Sequence, residues 1–307
     1  MELDNNYLGN KIRSVRKAKK MTQEKFCEDE SDLSVKQLSR IERGKCMPNI
    51  QTLYFIANRL GVPVAYLIEE NEENINLSNE YFKLKDRLIF LSLYREEEFI
   101  NKQQEIYEEI EKNFFSLIPE SQKLLVTTHK LITTLILTGN IDASKKLLDK
   151  HLSLTSLQKK SILGETELIM LKLHLQIIFR SDELSNEFEK TLKLMLSRTN
   201  DLFYISSAIM LDNLIISLAI LIKHKQYDKL TRIISSCYEL IIEHQLYHKM
   251  PILKMVEGKK MLFTNSTIEI AKEYYEQGIT IAKDQGAFKL AARIKAELNE
   301  DLSEHEI

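Results

Sequence analysis

Apolar residues recur at three- and four-residue steps along almost the whole chain, and no stretch settles into the strict alternation of a half-buried strand. Near the N-terminus, Leu8, Ile12 and Val15 share one helical face. Thr22 stands where an N-cap belongs, ahead of QEKFC, and Phe26 then faces a small core. Ser34 is a second N-cap, with Gln37 three residues on as a capping box requires. Leu38 and Ile41 point inward, and Gly44 supplies the positive φ that ends the helix. Pro48 and Asn49 open the next helix, whose stripe is Leu53, Ile56, Ala57 and Leu60. Gly61 stops it, and VPVAYLI begins the fifth.

Beyond a polar, poorly periodic stretch, ENEENINLSN, the helical period returns. Leu84, Leu88 and Leu91 mark one helix, and Ile106, Ile110 and Phe114 the following one, with boundaries at Pro119 and Gly139. Further helices are predicted at 121–137, 141–151, 163–179, 185–197, 201–222, 226–243, 246–263, 267–283 and 286–299. Similar lengths and short joins predict paired helices stacked in series. The stretch AKEYYEQGITIAKDQG, with Ala271, Tyr274, Tyr275, Gly278, Ile281 and Ala282, resembles the second half of a tetratricopeptide repeat. The fold class is therefore all-α. Five N-terminal helices precede a right-handed solenoid of degenerate tetratricopeptide-like helix pairs. The expected division is 1–69 for the first domain, 70–79 as linker and 80–307 for the second.

Composition sharpens this picture in three respects. Only 8 Gly and 4 Pro in 307 residues favour long helices over a turn-rich sheet. The net charge of -2 conceals an uneven distribution: residues 1–60 carry 12 Lys/Arg against 8 Asp/Glu, whereas residues 69–120 carry 6 against 14. The first segment can approach a phosphate backbone and the second cannot. Cys27, Cys46 and Cys237 have neither disulfide-framework nor metal-site spacing, which fits a reducing cytoplasm. The N-terminus lacks the apolar run of a signal peptide. LDNLIISLAILI at 211–222 is too short to cross a bilayer and reads as a buried core helix, so no membrane partner is expected.

The segment TQ…S…QLSRIERG…PN…L…IANRLGV resembles the helix-turn-helix of phage repressors and their bacterial relatives. Its turn, EDESDLS, departs from that pattern, being acidic, one residue longer and without the usual glycine. The resemblance places Val35, Lys36, Gln37 and Arg40 toward the major groove. There Lys or Arg reads guanine and Val35 can meet a thymine methyl. Gln23 and Asn49, each opening a helix, suit phosphates, as do Arg13, Lys19, Arg43 and Lys45. The resemblance also implies that Arg16 and Glu42 form an internal salt bridge bracing the recognition helix.

The combination of this motif with degenerate repeats resembles the peptide-pheromone receptors of Gram-positive bacteria, the RNPP and Rgg-like regulators. The stretch YFKLKDRLIFLSLYREEEFINKQQEIYEEIEKNFFSLIPE is most similar to the ComR competence regulators of streptococci. That likeness implies a cytoplasmic quorum-sensing regulator. It would bind a short, imported, hydrophobic signalling peptide in its repeats, pair as a homodimer and activate transcription from inverted-repeat double-stranded DNA. It further implies an apo-state lock between Lys36 and Glu120, and a peptide site drawing on Arg95, Gln103, Asn213, Tyr247 and Lys254. Gln103 stands where the family carries a basic residue, so the cognate peptide is expected to differ. Two other readings use the same residues: a constitutive repressor whose helical domain only dimerises, and a peptide-regulated adaptor for a protein partner.

Catalysis is not expected. The sequence has no phosphate-cradling glycine loop and no HExxH. His129, His151, His174, His224, His244 and His248 show no ligand spacing, so no metal and no cofactor are predicted, and these histidines read as surface or packing residues.

Overall fold

The computed structural model describes all residues except 1–4, 20, 29–32, 63, 69–78, 91–96, 161, 201, 203, 265–266 and 306–307. The described residues form helices and connecting turns, and they separate into two compact units. One comprises Met1–Arg87 with Glu108–Glu120, the other Leu88–Tyr107 with Ser121–Ile307.

The first unit begins with five helices: α1 (Asn5–Ala18), α2 (Gln23–Cys27), α3 (Val35–Glu42), α4 (Ile50–Leu60) and α5 (Val64–Ile68). The expected caps form. Thr22 Oγ1 accepts from the Lys25 N–H at 3.1 Å, Ser34 Oγ from Gln37 at 3.2 Å, and Asn49 Oδ1 from Thr52 at 2.8 Å. Each satisfies a donor that the helix start would otherwise orphan. Helices α3 and α4 both end on a left-handed glycine, Gly44 at φ 67° and Gly61 at φ 59°. Leu8, Ile12, Phe26, Leu38, Ile41, Ile56 and Leu60 fill one core, with Phe26 meeting Phe55 edge-on at 6.3 Å.

Gly9 accounts for how closely α1 and α3 approach. A Cβ there would lie 2.2 Å from the Ile41 carbonyl oxygen, a backbone atom that cannot swing aside. The same unit includes the first part of α6 (Asn79–Phe90) and the last turns of α7 (Glu97–Asn113), where Tyr81 and Phe114 place their rings 6.0 Å apart.

The second unit stacks α8 (Glu120–Thr138), α9 (Asp142–His151), α10 (Leu154–Lys159), α11 (Glu165–Ile178), α12 (Asn186–Leu196), α13 (Tyr204–Lys223), α14 (Leu230–Glu243), α15 (Met250–Phe263), α16 (Ile268–Asp284) and α17 (Phe288–His305). Neighbouring helices pair as tetratricopeptide-like hairpins, and the predicted boundaries agree within a few residues except at α17, which runs to His305 rather than 299. The six-residue α10, capped by Ser153, is an addition, since one and a half turns leave no readable period.

The turns after α13, α14 and α16 share one construction. Lys225 (φ 55°), Gln245 (φ 56°) and Gly286 (φ 72°) adopt the left-handed conformation. The next residue in each case, Gln226, Leu246 or Ala287, donates its N–H back to Leu221, Ile241 or Ala282 at 2.9, 3.0 and 2.8 Å. These are Schellman stops, two of them made without the glycine that makes the conformation cheap. The break at Gln245 also separates His244 from His248, so they do not share a helical face.

The apolar run at 211–222 lies in the helix predicted at 201–222, and the expectation that it is too short to cross a bilayer needs correcting. It belongs to a 20-residue helix, α13, with mean hydropathy 2.1, and by length and composition this helix could cross a membrane. Within this unit it packs instead against α11 and α14. It buries Ser206, Ser207, Asn213 and Ser217 along with its aliphatic residues.

The C-terminal helix is pinned by charge as well as by apolar contact. Lys259 Nζ reaches Asp301 Oδ1 and Glu297 Oε2, each at 2.7 Å, and the Tyr275 hydroxyl donates to Asp301. Burial, then the hydrogen bond to Asp301, pushes the Tyr275 phenol up, so it remains a donor.

Candidate nucleic-acid interface and sensing face

In the first unit, one carboxylate organises the surface. Glu42, at the end of α3, accepts from Arg16 Nε at 2.6 Å, Arg16 Nη2 at 2.8 Å and Gln23 Nε2 at 2.7 Å. Both ionic side chains are nearly inaccessible, at 7% and 2% exposure for Arg16 and Glu42. A planar guanidinium facing a carboxylate through two parallel bonds fixes orientation as well as distance. Arg16 also donates through Nη1 to the Met21 carbonyl at 2.5 Å. The hydrogen bond to Glu42 raises the guanidinium pKa against the opposing effect of burial. Thus α1, α2 and α3 are clamped by three side chains at one point.

The clamp orients α3. Its inner face carries the buried Leu38 and Ile41, while Lys36, Gln37 and Arg40 are exposed and Val35 is half-buried against the core. Arg13, Lys19, Arg43, Lys45 and Asn49 are exposed on the same unit. Gln23 is half-buried and its amide donates to Glu42, so it serves the clamp; Asn49 spends its side-chain oxygen on the α4 cap. Arg13, Arg16, Lys17, Thr22, Gln23 and Arg43 are among the residues lining a cleft of about 340 Å³ at the start of α2. Lys17 joins the cations expected there. A concave, cation-rich surface beside an exposed helix face has the charge and shape for a DNA backbone. Much of the unusual turn before α3, residues 29–32, lies outside the described residues. Glu120 is exposed at the start of α8.

The second unit buries a set of polar groups that the sequence reading only partly identified. Arg95 lies outside the described residues. Gln103 is 1% exposed and its Oε1 accepts from Thr133 at 2.9 Å, while its Nε2 has no hydrogen-bond partner among the described residues. Asn213 is wholly buried. Its Nδ2 donates to the Leu168 carbonyl at 2.9 Å, and its Oδ1 likewise lacks a partner. Unsatisfied amide atoms at such depth are uncommon and costly, and they favour any ligand able to complete them. Tyr247 is about half exposed. Lys254 is half-buried: its ammonium pairs with Glu257 at 2.9 Å and lies 5.2 and 5.1 Å from the centres of the Tyr238 and Tyr274 rings.

Two further clusters were not anticipated. Asp212 receives Lys172 at 2.6 Å and Lys249 at 2.7 Å, tying α11, α13 and the turn before α15 together. Burial disfavours its charge, but the two ammonium groups outweigh that and hold its pKa below the ordinary carboxylate value. Tyr107 on α7 bonds His129 Nδ1 at 2.8 Å and Thr133 Oγ1 at 2.9 Å. Burial, with Lys172 nearby, holds His129 down to about 3, so the imidazole is neutral. No group of three or more metal-binding side chains occurs among the described residues.

Comparison with known proteins gives a consistent result. A ComR tetratricopeptide family model matches residues 79–298, and a helix-turn-helix domain model matches residues 9–73. No curated protein sequence matches. Among solved structures, ComR from S. thermophilus in complex with DNA and its signalling peptide ComS is similar at 23% identity and TM-score 0.68, covering 96% of this chain and 99% of that one. ComR from Streptococcus suis is 25% identical with TM-score 0.59, over 98% and 97% of the two chains. PlcR from Bacillus thuringiensis, in complex with the peptide PapR7 and DNA, shares the fold at 14% identity and TM-score 0.58, over 94% and 99%.

Proposed function

The chain belongs to the ComR tetratricopeptide family, and from that membership we propose that it is a cytoplasmic transcription regulator that binds a short hydrophobic signalling peptide through its repeats. The liganded protein binds an inverted-repeat promoter as a homodimer and activates competence or related genes. The observation that carries this reading is the clamped recognition helix, with Lys36, Gln37 and Arg40 exposed above the Arg16–Glu42–Gln23 cluster. Rigid presentation of long polar side chains is what base readout in the major groove requires. In this account residues 1–69 bind DNA, 70–79 link, and 80–307 sense and dimerise. Lys36, Gln37, Arg40 and Val35 read bases; Arg13, Lys19, Gln23, Arg43, Lys45 and Asn49 contact phosphates.

Peptide binding is supported by the two orphaned amide atoms, Gln103 Nε2 and Asn213 Oδ1, with one donor and one acceptor matching the complementary groups of a peptide backbone. Arg95, Tyr247 and Lys254 complete the proposed site. Because Lys254 is already paired with Glu257, its contribution requires a peptide that replaces or shares that partner. The switch follows from linkage: the peptide acts only through different affinities for two receptor states. We assign the apo state a Lys36–Glu120 contact that occupies a groove-facing lysine.

The test is promoter retardation with the full chain. Lys36→Ala and Arg40→Ala should each reduce discrimination between operator and scrambled DNA by about 1–3 kcal/mol, whereas Lys45→Ala should weaken both DNAs alike and lower the salt slope by about one. Glu120→Ala should raise binding without peptide. Unchanged discrimination in both α3 variants would remove the recognition-helix assignment, and unchanged apo affinity in Glu120→Ala would remove the lock.

A further inference from the structure

A cleft of about 450 Å³ opens in the second unit between α9, the C-terminal end of α11 and the start of α12. It is lined by none of Gln103, Asn213, Tyr247 or Lys254. We propose that this cleft binds a short aliphatic peptide of two or three residues, through its side chains and both charged termini, at a site separate from that of the signalling peptide.

Three features of the cleft point to that ligand class. Its lining includes the aliphatic side chains of Leu148, Ile177 and Ile178, and so favours apolar ligand side chains over polar ones. Its charged lining carries both signs: Lys145 and Arg180 against Asp149 and Glu187. A simple anion or cation would be attracted by one pair and repelled by the other, whereas a zwitterion satisfies both. Arg180 is fixed in place, with Nη1 donating to the Gln176 carbonyl at 2.7 Å and Nη2 to the Leu135 carbonyl at 3.1 Å. A cation already ordered loses little further freedom when a carboxylate arrives.

The third feature is His174. It lines the cleft, is 8% exposed, and its Nε2 is buried without a hydrogen-bond partner among the described residues. Burial lowers its pKa, with Glu187 acting in the opposite direction. The neutral ring can donate to a peptide carbonyl or accept from a peptide N–H, and either contact relieves a buried orphan. A purely aliphatic occupant would leave that cost in place. The volume lies within the range of about 300–1,000 Å³ typical of ligand pockets.

Isothermal titration calorimetry of the full chain with trileucine tests the proposal. Binding with Kd of about 1 mM or tighter is expected, weakening at least about tenfold for the N-acetylated, C-amidated analogue, which lacks both charges. Ile177→Trp, which fills the cleft, should abolish binding. His174→Phe, which keeps the ring but removes the polar edge, should weaken it about tenfold while circular dichroism stays unchanged. Asn213→Ala should leave it intact. Absence of binding to the wild-type chain overturns the proposal. So does equal affinity for the blocked analogue, or loss in Asn213→Ala with retention in Ile177→Trp, which would place trileucine in the signalling-peptide site.

Discussion

Removing the Glu42 carboxylate should loosen the first unit by several kcal/mol. In the Glu42→Ala variant, Arg16 remains 7% exposed with its charge unmatched, and Gln23 loses its acceptor. Leaving one member of a buried pair costs about 3–5 kcal/mol. Glu42→Gln retains one acceptor oxygen but neither the charge nor the two-oxygen geometry, and should cost about 1.5–3 kcal/mol. The double variant Arg16→Met/Glu42→Leu sets the two terms apart. Replacing the whole pair by apolar side chains is often neutral or stabilising by about 1–4 kcal/mol. An orphaned Gln23 amide returns about 1–3 kcal/mol of that, so the double variant should lie near wild-type stability. Amide hydrogen exchange in α1 and α3 of the full chain reads these values locally, without assuming that the two units unfold together. The reasoning fails if Glu42→Ala lowers protection by less than about 1 kcal/mol, or if the double variant is as unstable as the single. Operator affinity should follow helix geometry and fall in Glu42→Ala although Glu42 itself faces no base.

The same physics gives three smaller predictions. Gly9→Ala forces a Cβ to within 2.2 Å of the Ile41 carbonyl oxygen and should destabilise the first unit by about 1–3 kcal/mol, read by the same exchange experiment. Lys225→Gly and Gln245→Gly relieve left-handed strain of about 1–2 kcal/mol per residue. After the extra unfolded-state freedom of glycine, each should still raise stability in urea by about 0.5 kcal/mol; a loss would show that those side chains make unrecognised contacts. His129 is neutral when folded and its pKa is lowered to about 3, so the unfolded chain binds the proton first as the pH falls. Second-unit stability should therefore decline below about pH 6.5 by up to about 1.4 kcal/mol per pH unit, and His129→Phe should flatten that slope between pH 6.5 and 5.

What the sequence could and could not reveal divides along the range of the interaction. Helix starts and stops are local, so Thr22, Ser34, Asn49, Gly44 and Gly61 could be read from their neighbours. The exposed and buried faces of α3 were legible because an eight-residue amphipathic helix presents its inner and outer sides at a fixed period. The interior of the second unit was not. Lys172 and Asp212 are 40 positions apart and Tyr107 and His129 are 22 apart. Periodicity reports which face is buried and says nothing of what it meets there. Lys172 sits amid an apolar run, and a charged residue on an otherwise buried face was the one available hint that a partner existed. Gly9 was equally silent: a glycine inside a helical pattern signals close approach, but its partner, the Ile41 carbonyl, appears only once α1 and α3 are packed. The helix predicted at 201–222 matches α13, although Tyr204, Ser206 and Ser207 interrupt its apolar run.

The central claim, a DNA-binding regulator governed by a peptide, is tested most directly by fluorescence anisotropy of labelled promoter DNA with the full chain at fixed salt. Short hydrophobic peptides encoded near its gene would be titrated in while oligomeric mass is followed in parallel. The account predicts that one such peptide tightens operator binding as monomer converts to dimer, and that Asn213→Ala abolishes the response without altering affinity in its absence. Operator binding that is equally tight with and without every peptide would contradict it and leave a constitutive repressor.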